Sequence, residues 1–367
     1  MPLYMDLHIL PGVKARDVAQ AHVQDLLIQD DHGCTCMTYW VDEKRGNVFC
    51  LIEAPAREAV SEMHGKAHGL IPHKIIEVNS NLVESFLGRI SDPDSAIISS
   101  DGLKIFSDES LRNIMVIRLQ DPVVQQHQLG KEKANGLIRS QQYIIQKELG
   151  AFEGTEVNHG GTDHIASFVS AGKAVNCALS ILDILKDMAS ENGSLRIGIQ
   201  AGDPVTKNDM LFGDTIQFAS ILGFVAKDFQ IAISSAVKDL ASKDRIRYDD
   251  RHIVKISPQD ETFLAQLFNT LGEKWQEPDF DMDDYGKIMA MSNSQLYRKT
   301  LALTGFSPNN LLKEYRLERA KDLMKKSTSN ITQITFDSGF SSPSYFTKCF
   351  KKRYGMLPMT YMEMVGA

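Results

Sequence analysis

Two short segments near the C-terminus carry side chains suited to contact with an anionic, hydrogen-bonding polymer. Ser292-Asn-Ser-Gln-Leu-Tyr-Arg-Lys returns forty-nine residues later as Ser341-Ser-Pro-Ser-Tyr-Phe-Thr-Lys. In each, a Ser suited to N-capping opens a helix, an apolar stripe follows and basic residues lie toward the outer face, as a helix seated in a DNA groove requires. A second constellation lies near the N-terminus, where His64 and His68 stand at i and i+4 on one expected helix. That spacing can bring two imidazoles to a single divalent ion. His8, His22, Asp6 and Cys50 offer further donors of a kind that suits Ni, Cu or Zn, and Cys34 and Cys36 are another pair of thiols. An exposed His pair can equally be polar surface.

The charge distribution separates these two regions. The chain as a whole is at −7, yet the stretch from Tyr285 to Tyr361 holds 13 Lys and Arg against 4 acidic residues, a surplus of nine. The tail should seek phosphates while the rest avoids them. With 367 residues and 43% hydrophobic content the chain exceeds one ordinary domain, so two or three are expected. Five cysteines are an odd, sparse set that fits reduced thiols better than a disulfide framework. No basic-then-apolar leader and no uninterrupted apolar run of membrane length is present, so a cytoplasmic protein with no membrane partner is expected.

The elements that must position these residues form three groups, and the expected fold class is multidomain α+β. Residues 1–88 read as strand, helix, strand, strand, helix, strand, a ferredoxin-like plan. Leu3, Met5, Leu7 and Ile9 alternate with polar residues in its first strand; 35–41 and 47–53 form a hairpin; Pro55 opens a helix that Gly69 and Pro72 close. Residues 89–108, rich in Ser, Asp and Gly, read as a linker with one short strand. Residues 109–260 alternate strands (113–119, 164–169, 195–200) and helices in an α/β unit. Residues 278–363 are helical throughout: 282–290 and 292–304 form one helix pair, 331–338 and a helix from Ser341 or Ser342 to Tyr354 a second, and a helix from Pro308 joins them.

The tail resembles the AraC/XylS family of bacterial transcription regulators. The resemblance is carried by Arg316-Leu-Glu-Arg-Ala320, by Ile331-Thr-Gln-Ile-Thr-Phe-Asp-Ser-Gly-Phe-Ser-Ser-Pro-Ser-Tyr-Phe-Thr-Lys-Cys-Phe-Lys-Lys-Arg-Tyr-Gly355 and by Pro358. It implies a double helix-turn-helix in which Ser292 and Ser342 open the reading helices. Base-edge contacts would come from Ser294, Tyr297 and Arg298 in the first and from Pro343, Ser344, Thr347 and Lys348 in the second. The Arg298 fork can bond guanine O6 and N7 together. Lys348, Lys351, Lys352 and Arg353 would hold phosphates. Leu296, Leu301, Tyr345, Phe346 and Phe350 are expected in the core, and Thr300 stands where the family usually carries a larger apolar residue.

The middle region is similar to class III nucleotide cyclase domains through Leu195-Arg-Ile-Gly-Ile-Gln-Ala-Gly-Asp203, Phe212-Gly-Asp-Thr-Ile-Gln-Phe-Ala-Ser-Ile-Leu222, Gln230-Ile-Ala-Ile-Ser234 and Gly161-Thr-Asp-His-Ile-Ala-Ser-Phe168. The family's two metal carboxylates would fall at Gln120, beside Asp121, and at Thr162, beside Asp163. Its transition-state Asn and Arg would fall at Gln217 and Ile221. An Ile cannot stabilise phosphate charge, so no enzyme activity is expected, and self-association into a homodimer is the property that transfers. The first 88 residues resemble a small nickel-binding ferredoxin-like family through Tyr39-Trp-Val-Asp42, Val48-Phe-Cys-Leu-Ile-Glu-Ala-Pro55 and Glu62-Met-His-Gly-Lys-Ala-His-Gly69. A divalent metal, Ni or Zn, is therefore the expected cofactor.

Together these readings imply a sequence-specific regulator of transcription, responsive to metal or ligand, with double-stranded DNA and RNA polymerase as partners. Two alternatives stay open. One is a nucleotide cyclase or nucleotide sensor whose tail only localises it; the other is a metal-binding protein.

Overall fold

The computed structural model describes residues 1–157, 163–188, 194–243, 250–326 and 329–366. The first unit comprises β1 (Leu3–Ile9), α1 (Ala15–Ile28), β2 (Thr35–Asp42), β3 (Asn47–Glu53), α2 (Arg57–Ala67), β4 (Lys74–Val78) and α3 (Ser80–Leu87). Its antiparallel sheet has the order β2-β3-β1-β4. Alternation along β1 gives each sheet face its role. Leu3 and Met5 point to one core, whereas Tyr4, Asp6 and His8 point to the face covered by α1 and α2. The extra helix α3 is capped by Asn79, whose side chain accepts from the Asn81 amide at 2.9 Å.

Residues 89–108 do not hang free. They form a two-stranded ribbon, β5 (Ile97–Ile98) and β6 (Lys104–Ile105), where one strand is expected from sequence. Phe106 stacks on Tyr39 with ring centroids 4.2 Å apart, and the Arg89 guanidinium lies 4.4 Å from the Trp40 ring centre. The segment therefore folds back on the first unit.

The middle unit runs β7 (Arg112–Leu119), α4 (Pro122–Leu129), α5 (Lys131–Ala151), β8 (Thr155–Val157), β9 (His164–Phe168), α6 (Ala171–Met188), β10 (Leu195–Gly202), α7 (Gly213–Val225), β11 (Gln230–Ile233), α8 (Ser235–Lys243), β12 (Ile253–Lys255) and α9 (Pro258–Lys274). The sheet order is β12-β11-β10-β7-β9-β8, with β10 antiparallel to β7 and parallel to β11. Met115 and Ile117 of β7 pack with α5 and α6, while Ile114 and Val116 face the first unit's sheet, α3 and Phe212 in one continuous core. Arg45, in the turn of the first unit's hairpin, grips Asp203 with both terminal nitrogens and reinforces that junction. Gly198 allows α7 its close approach to β10, since a Cβ there would lie 2.0 Å from the Ala219 carbonyl oxygen.

The tail contains α10 (Met282–Ile288), α11 (Asn293–Thr304), α12 (Pro308–Lys326), α13 (Ile331–Asp337), α14 (Pro343–Tyr354) and α15 (Pro358–Gly366). At 1.5 Å per residue α12 spans about 28 Å. The first helix pair shares a core with α7 and α9; the second shares one with Val124 of α4.

The repeat has a register that the uniform spacing of forty-nine misses. The N-caps Asp281 and Asn330 stand forty-nine apart, as do Ala290 (φ 50°) and Gly339 (φ 77°), which take left-handed backbone in the two turns. After the turn the spacing is fifty. Ser292 and Ser342 are the N-caps of α11 and α14, and Gly305 and Gly355 their left-handed C-caps. The second turn holds one more residue, accommodated at Phe340-Ser341. This register corrects two core assignments: Leu301 aligns with Lys351 and Tyr345 with Gln295, and Leu301 and Tyr345 are 41% and 54% exposed. Leu296, Phe346 and Phe350 are fully buried, as expected.

Candidate DNA interface and metal centre

Both reading helices begin with local hydrogen bonding that their sequences supply. Ser292 Oγ accepts from the Gln295 amide at 3.4 Å while Gln295 Oε1 accepts from the Ser292 amide at 3.1 Å, a reciprocal capping box. Ser342 Oγ accepts from the Tyr345 amide at 3.4 Å, and Pro343 occupies the first turn, where its missing N–H costs nothing. With Leu296 and Phe346 turned inward, the opposite faces carry Ser294, Tyr297 and Arg298 on α11 and Ser344 and Lys348 on α14, all exposed. Pro343 and Thr347 are half-buried beside them. Lys351 and Lys352 extend the basic end of α14 into solvent. Arg353 is exposed beside them, and its Nε forms an ion pair with Glu314 of α12 at 2.7 Å.

In the first unit, β1 presents Asp6 and His8 to the helix-covered face, β3 adds Cys50, α1 adds Asp25 and α2 adds His64, with His68 at its C-cap. His64 is buried between two carboxylates, its Nε2 lying 2.9 Å from Asp6 Oδ2 and its Nδ1 3.0 Å from Asp25 Oδ1. His68 Nε2 lies 3.0 Å from His64 Nδ1 and 3.1 Å from Asp25. Burial alone would lower the His64 pKa, but hydrogen bonds to Asp25 and Asp6 raise it to about 10. Burial and the Asp6 charge push the Cys50 thiol well above its usual range.

Two donor groups result, Asp6-His8-Cys50-His64 and Asp25-His64-His68, each with its ligand atoms within 4.8 Å of one another. The donor chemistry fits a borderline metal such as nickel or zinc, and the two carboxylates flanking His64 fit the outer-shell role that orients ligating imidazoles. His22 belongs to neither group; it packs on Tyr39 with ring centroids 5.3 Å apart and lines the small cavity beside them. Cys34 and Cys36 are buried and belong to neither group, with Cys36 Sγ 3.7 Å from Met63 Sδ.

The residues aligned with cyclase chemistry are engaged in other contacts. Gln120 donates to Gln128 at 2.9 Å and Gln217 to Asn269 at 3.0 Å, while Ile221 is buried in the core shared with α9. Thr162 lies outside the described residues. Asp121 joins two units. Its Oδ1 caps α4 through the Val123 amide at 3.0 Å, and its Oδ2 accepts from Lys321 (3.3 Å), Lys325 (3.2 Å) and the Tyr361 hydroxyl (2.9 Å) of the tail.

Comparison with known proteins decides the two ends of the chain. The family model described as "Helix-turn-helix domain" matches residues 285–364, and that described as "Nickel responsive protein SCO4226-like" matches residues 4–78. The RhaS transcriptional activator of Mannheimia succiniciproducens is 33% identical over 89 residues, 23% of this chain and 33% of that protein. Residues 285–364 are an AraC-type helix-turn-helix domain. Residues 4–78 are an SCO4226-like domain. Histidine kinase P4 of Formosa agariphila is 31% identical over 144 residues, 38% of this chain and 10% of the kinase. The chain thus spans a third or less of these two relatives' lengths. A crystal structure of an adenylate/guanylate cyclase/hydrolase from Silicibacter pomeroyi is 24% identical, covering 38% of this chain and 83% of that one, with a TM-score of 0.32.

Within the AraC-type domain, Thr300 takes the position of Phe350. It is fully buried and its Oγ1 has no partner among the described residues, so the first helix pair has the smaller core. In the SCO4226-like domain, sequence reasoning missed Asp25. The signal was its place three residues after His22 on α1, a spacing that puts both on one helix face.

Proposed function

We propose that the protein is a sequence-specific DNA-binding regulator of transcription. One observation carries this reading. Two N-capped helices, joined by a helix about 28 Å long, each hold an aromatic or aliphatic core residue inward and leave Ser294, Tyr297 and Arg298, or Ser344 and Lys348, facing solvent. The domain limits we assign are 1–88, 89–108, 109–260 and 278–363. The first domain holds a nickel or zinc ion through His8, His64 and Cys50 with Asp6, or through His64 and His68 with Asp25, and that ion biases the reading state. Only an ion that binds two states unequally can do so. The middle domain serves structure and self-association rather than catalysis; the side chains at the cyclase positions support this. A homodimer in the cytoplasm, working with RNA polymerase, completes the reading. Among the described residues, no helix is long and apolar enough to cross a membrane.

The test is retention of fragmented genomic DNA by the full chain at physiological salt, with and without added Ni²⁺, followed by sequencing. A shared motif lost in Arg298→Ala, a change worth about 1–3 kcal/mol of base discrimination, supports the reading. Uniform, salt-sensitive retention rejects it and leaves a phosphate-binding anchor. Motif occupancy unchanged by Ni²⁺ removes the metal response.

A further inference from the structure

Between the end of β7 and the second helix pair lies a cavity of about 560 Å³, within the size range of small-molecule sites. Its walls come from both bodies that Asp121 joins. Three guanidiniums reach it, each held by a carboxylate through Nε: Arg118 to Asp163 at 3.3 Å, Arg196 to Asp228 at 2.8 Å and Arg353 to Glu314 at 2.7 Å. The terminal nitrogens of Arg196 and Arg353 make no hydrogen bond to a carboxylate among the described residues, and the Asp228 charge acts on both side chains. A second observation is independent of these. Gln125 lines the cavity, is 2% exposed, and its Oε1 has no hydrogen-bond partner among the described residues. A buried acceptor left unpaired costs about 1–3 kcal/mol, a deficit that a ligand donor would remove.

The charge balance selects the ligand class. Each cation of the wall is matched by a carboxylate, Lys321 by Glu318 at 3.2 Å and by Asp121. A multiply charged anion or a bare metal cation would meet like charges, whereas a molecule carrying one charge of each sign meets complementary groups. We propose that this cavity binds a free α-amino acid or a close derivative, with its carboxylate on Arg196 and Arg353 and its ammonium on the Gln125 oxygen. Because Glu318, Lys321 and Arg353 belong to α12 and α14, occupancy shifts the placement of the second reading helix. That coupling, unlike the binding, rests on the DNA-reading function proposed above.

Thermal unfolding of the full chain is followed with each of the twenty proteinogenic amino acids at about 10 mM, and with succinate and putrescine as single-signed controls. A ligand present well above its Kd raises the midpoint by about 2 °C or more for a protein this size. The expected result is such a rise for at least one amino acid and for neither control, abolished in both Arg196→Gln and Gln125→Met, whose folding is checked by circular dichroism. No rise with any amino acid overturns the proposal, as does an equal rise with succinate or a rise retained in both variants. Where the active amino acid is found, DNA retention should change at least threefold on adding it. Retention unchanged by it overturns the coupling, while absence of motif-specific retention even without it is a failure of the DNA-reading function and leaves the thermal result standing.

Discussion

The two helix pairs of the tail follow one plan and are stabilised differently. Where the second places Phe350 at its centre, the first places Thr300, whose buried hydroxyl has no partner among the described residues. The first compensates by sharing a broad apolar core with α7 and α9, in which Leu296, Leu311 and Leu312 pack with Leu264, Leu267 and Leu271. The second packs Phe346, Tyr354 and Tyr361 around Phe350, and it meets the middle unit through Val124 of α4 and through the contacts of Lys321, Lys325 and Tyr361 with Asp121. The difference teaches that one half of a DNA reader can be a permanent part of the body while the other is attached by a contact that responds to its surroundings.

The largest expected effect comes from removing what the second pair has and the first lacks. Phe350→Ala should cost about 3–5 kcal/mol, read as a lower urea midpoint for the tail's unfolding. A loss below about 1 kcal/mol would mean that the second pair does not depend on this core. Asp121→Ala comes next: it removes one of the two carboxylates on buried Lys321 and the acceptor shared by Lys325 and Tyr361, and should cost about 3 kcal/mol, part of which adding Lys321→Met should recover. If the double variant is no better than the single, the attachment is not a charge contact.

Acid should separate the pairs as well. Burial would raise the Glu318 pKa, but Lys321 and Arg118 outweigh it and hold the carboxyl at about 2. A carboxyl depressed in the folded state contributes stability above its unfolded value of about 4.3 and loses it as pH falls through the folded value. Stability of the second pair should therefore decline from about pH 4.5 to pH 2, and Glu318→Gln should flatten that decline in urea midpoints measured at pH 6, 4 and 3. The smallest change is Thr300→Val, which removes the orphan hydroxyl at nearly equal volume and should stabilise the first pair by about 1 kcal/mol. Destabilisation instead would point to a hydrogen bond that this geometry does not show.

Sequence exposed most of the local structure and less of what joins it. Ser292, Ser342, Gly305 and Gly355 marked their helix ends because capping is decided within four residues. Alternation marked the first strand of the first unit in the same way. The extra residue at Ser341 was hidden because two serines are adjacent there and either can cap; only the buried partners Leu296 and Phe346 fix the register. The ion pair of Arg353 was not legible because its partner Glu314 lies on another helix. Asp121, noted in the sequence only as the neighbour of Gln120, meets Lys321, Lys325 and Tyr361 some two hundred positions away, a distance at which no local pattern operates. The folded-back segment 89–108 was missed for the same reason, since Phe106 and Tyr39 meet only in three dimensions.

The extra residue in the second turn has a consequence for how such a pair of readers can vary. Each residue added within an α-helix rotates everything beyond it by about 100° about the axis. Placed anywhere from Pro343 onward, the same residue would carry Ser344 and Lys348 toward the core and bring Phe346 to the surface. Placed between Gly339 and Ser342, where no helical phase is being counted, it leaves both outward faces pointing as their apolar residues dictate. The turn is thus the place in each unit where chain length can change while the lettering presented to a groove stays in phase.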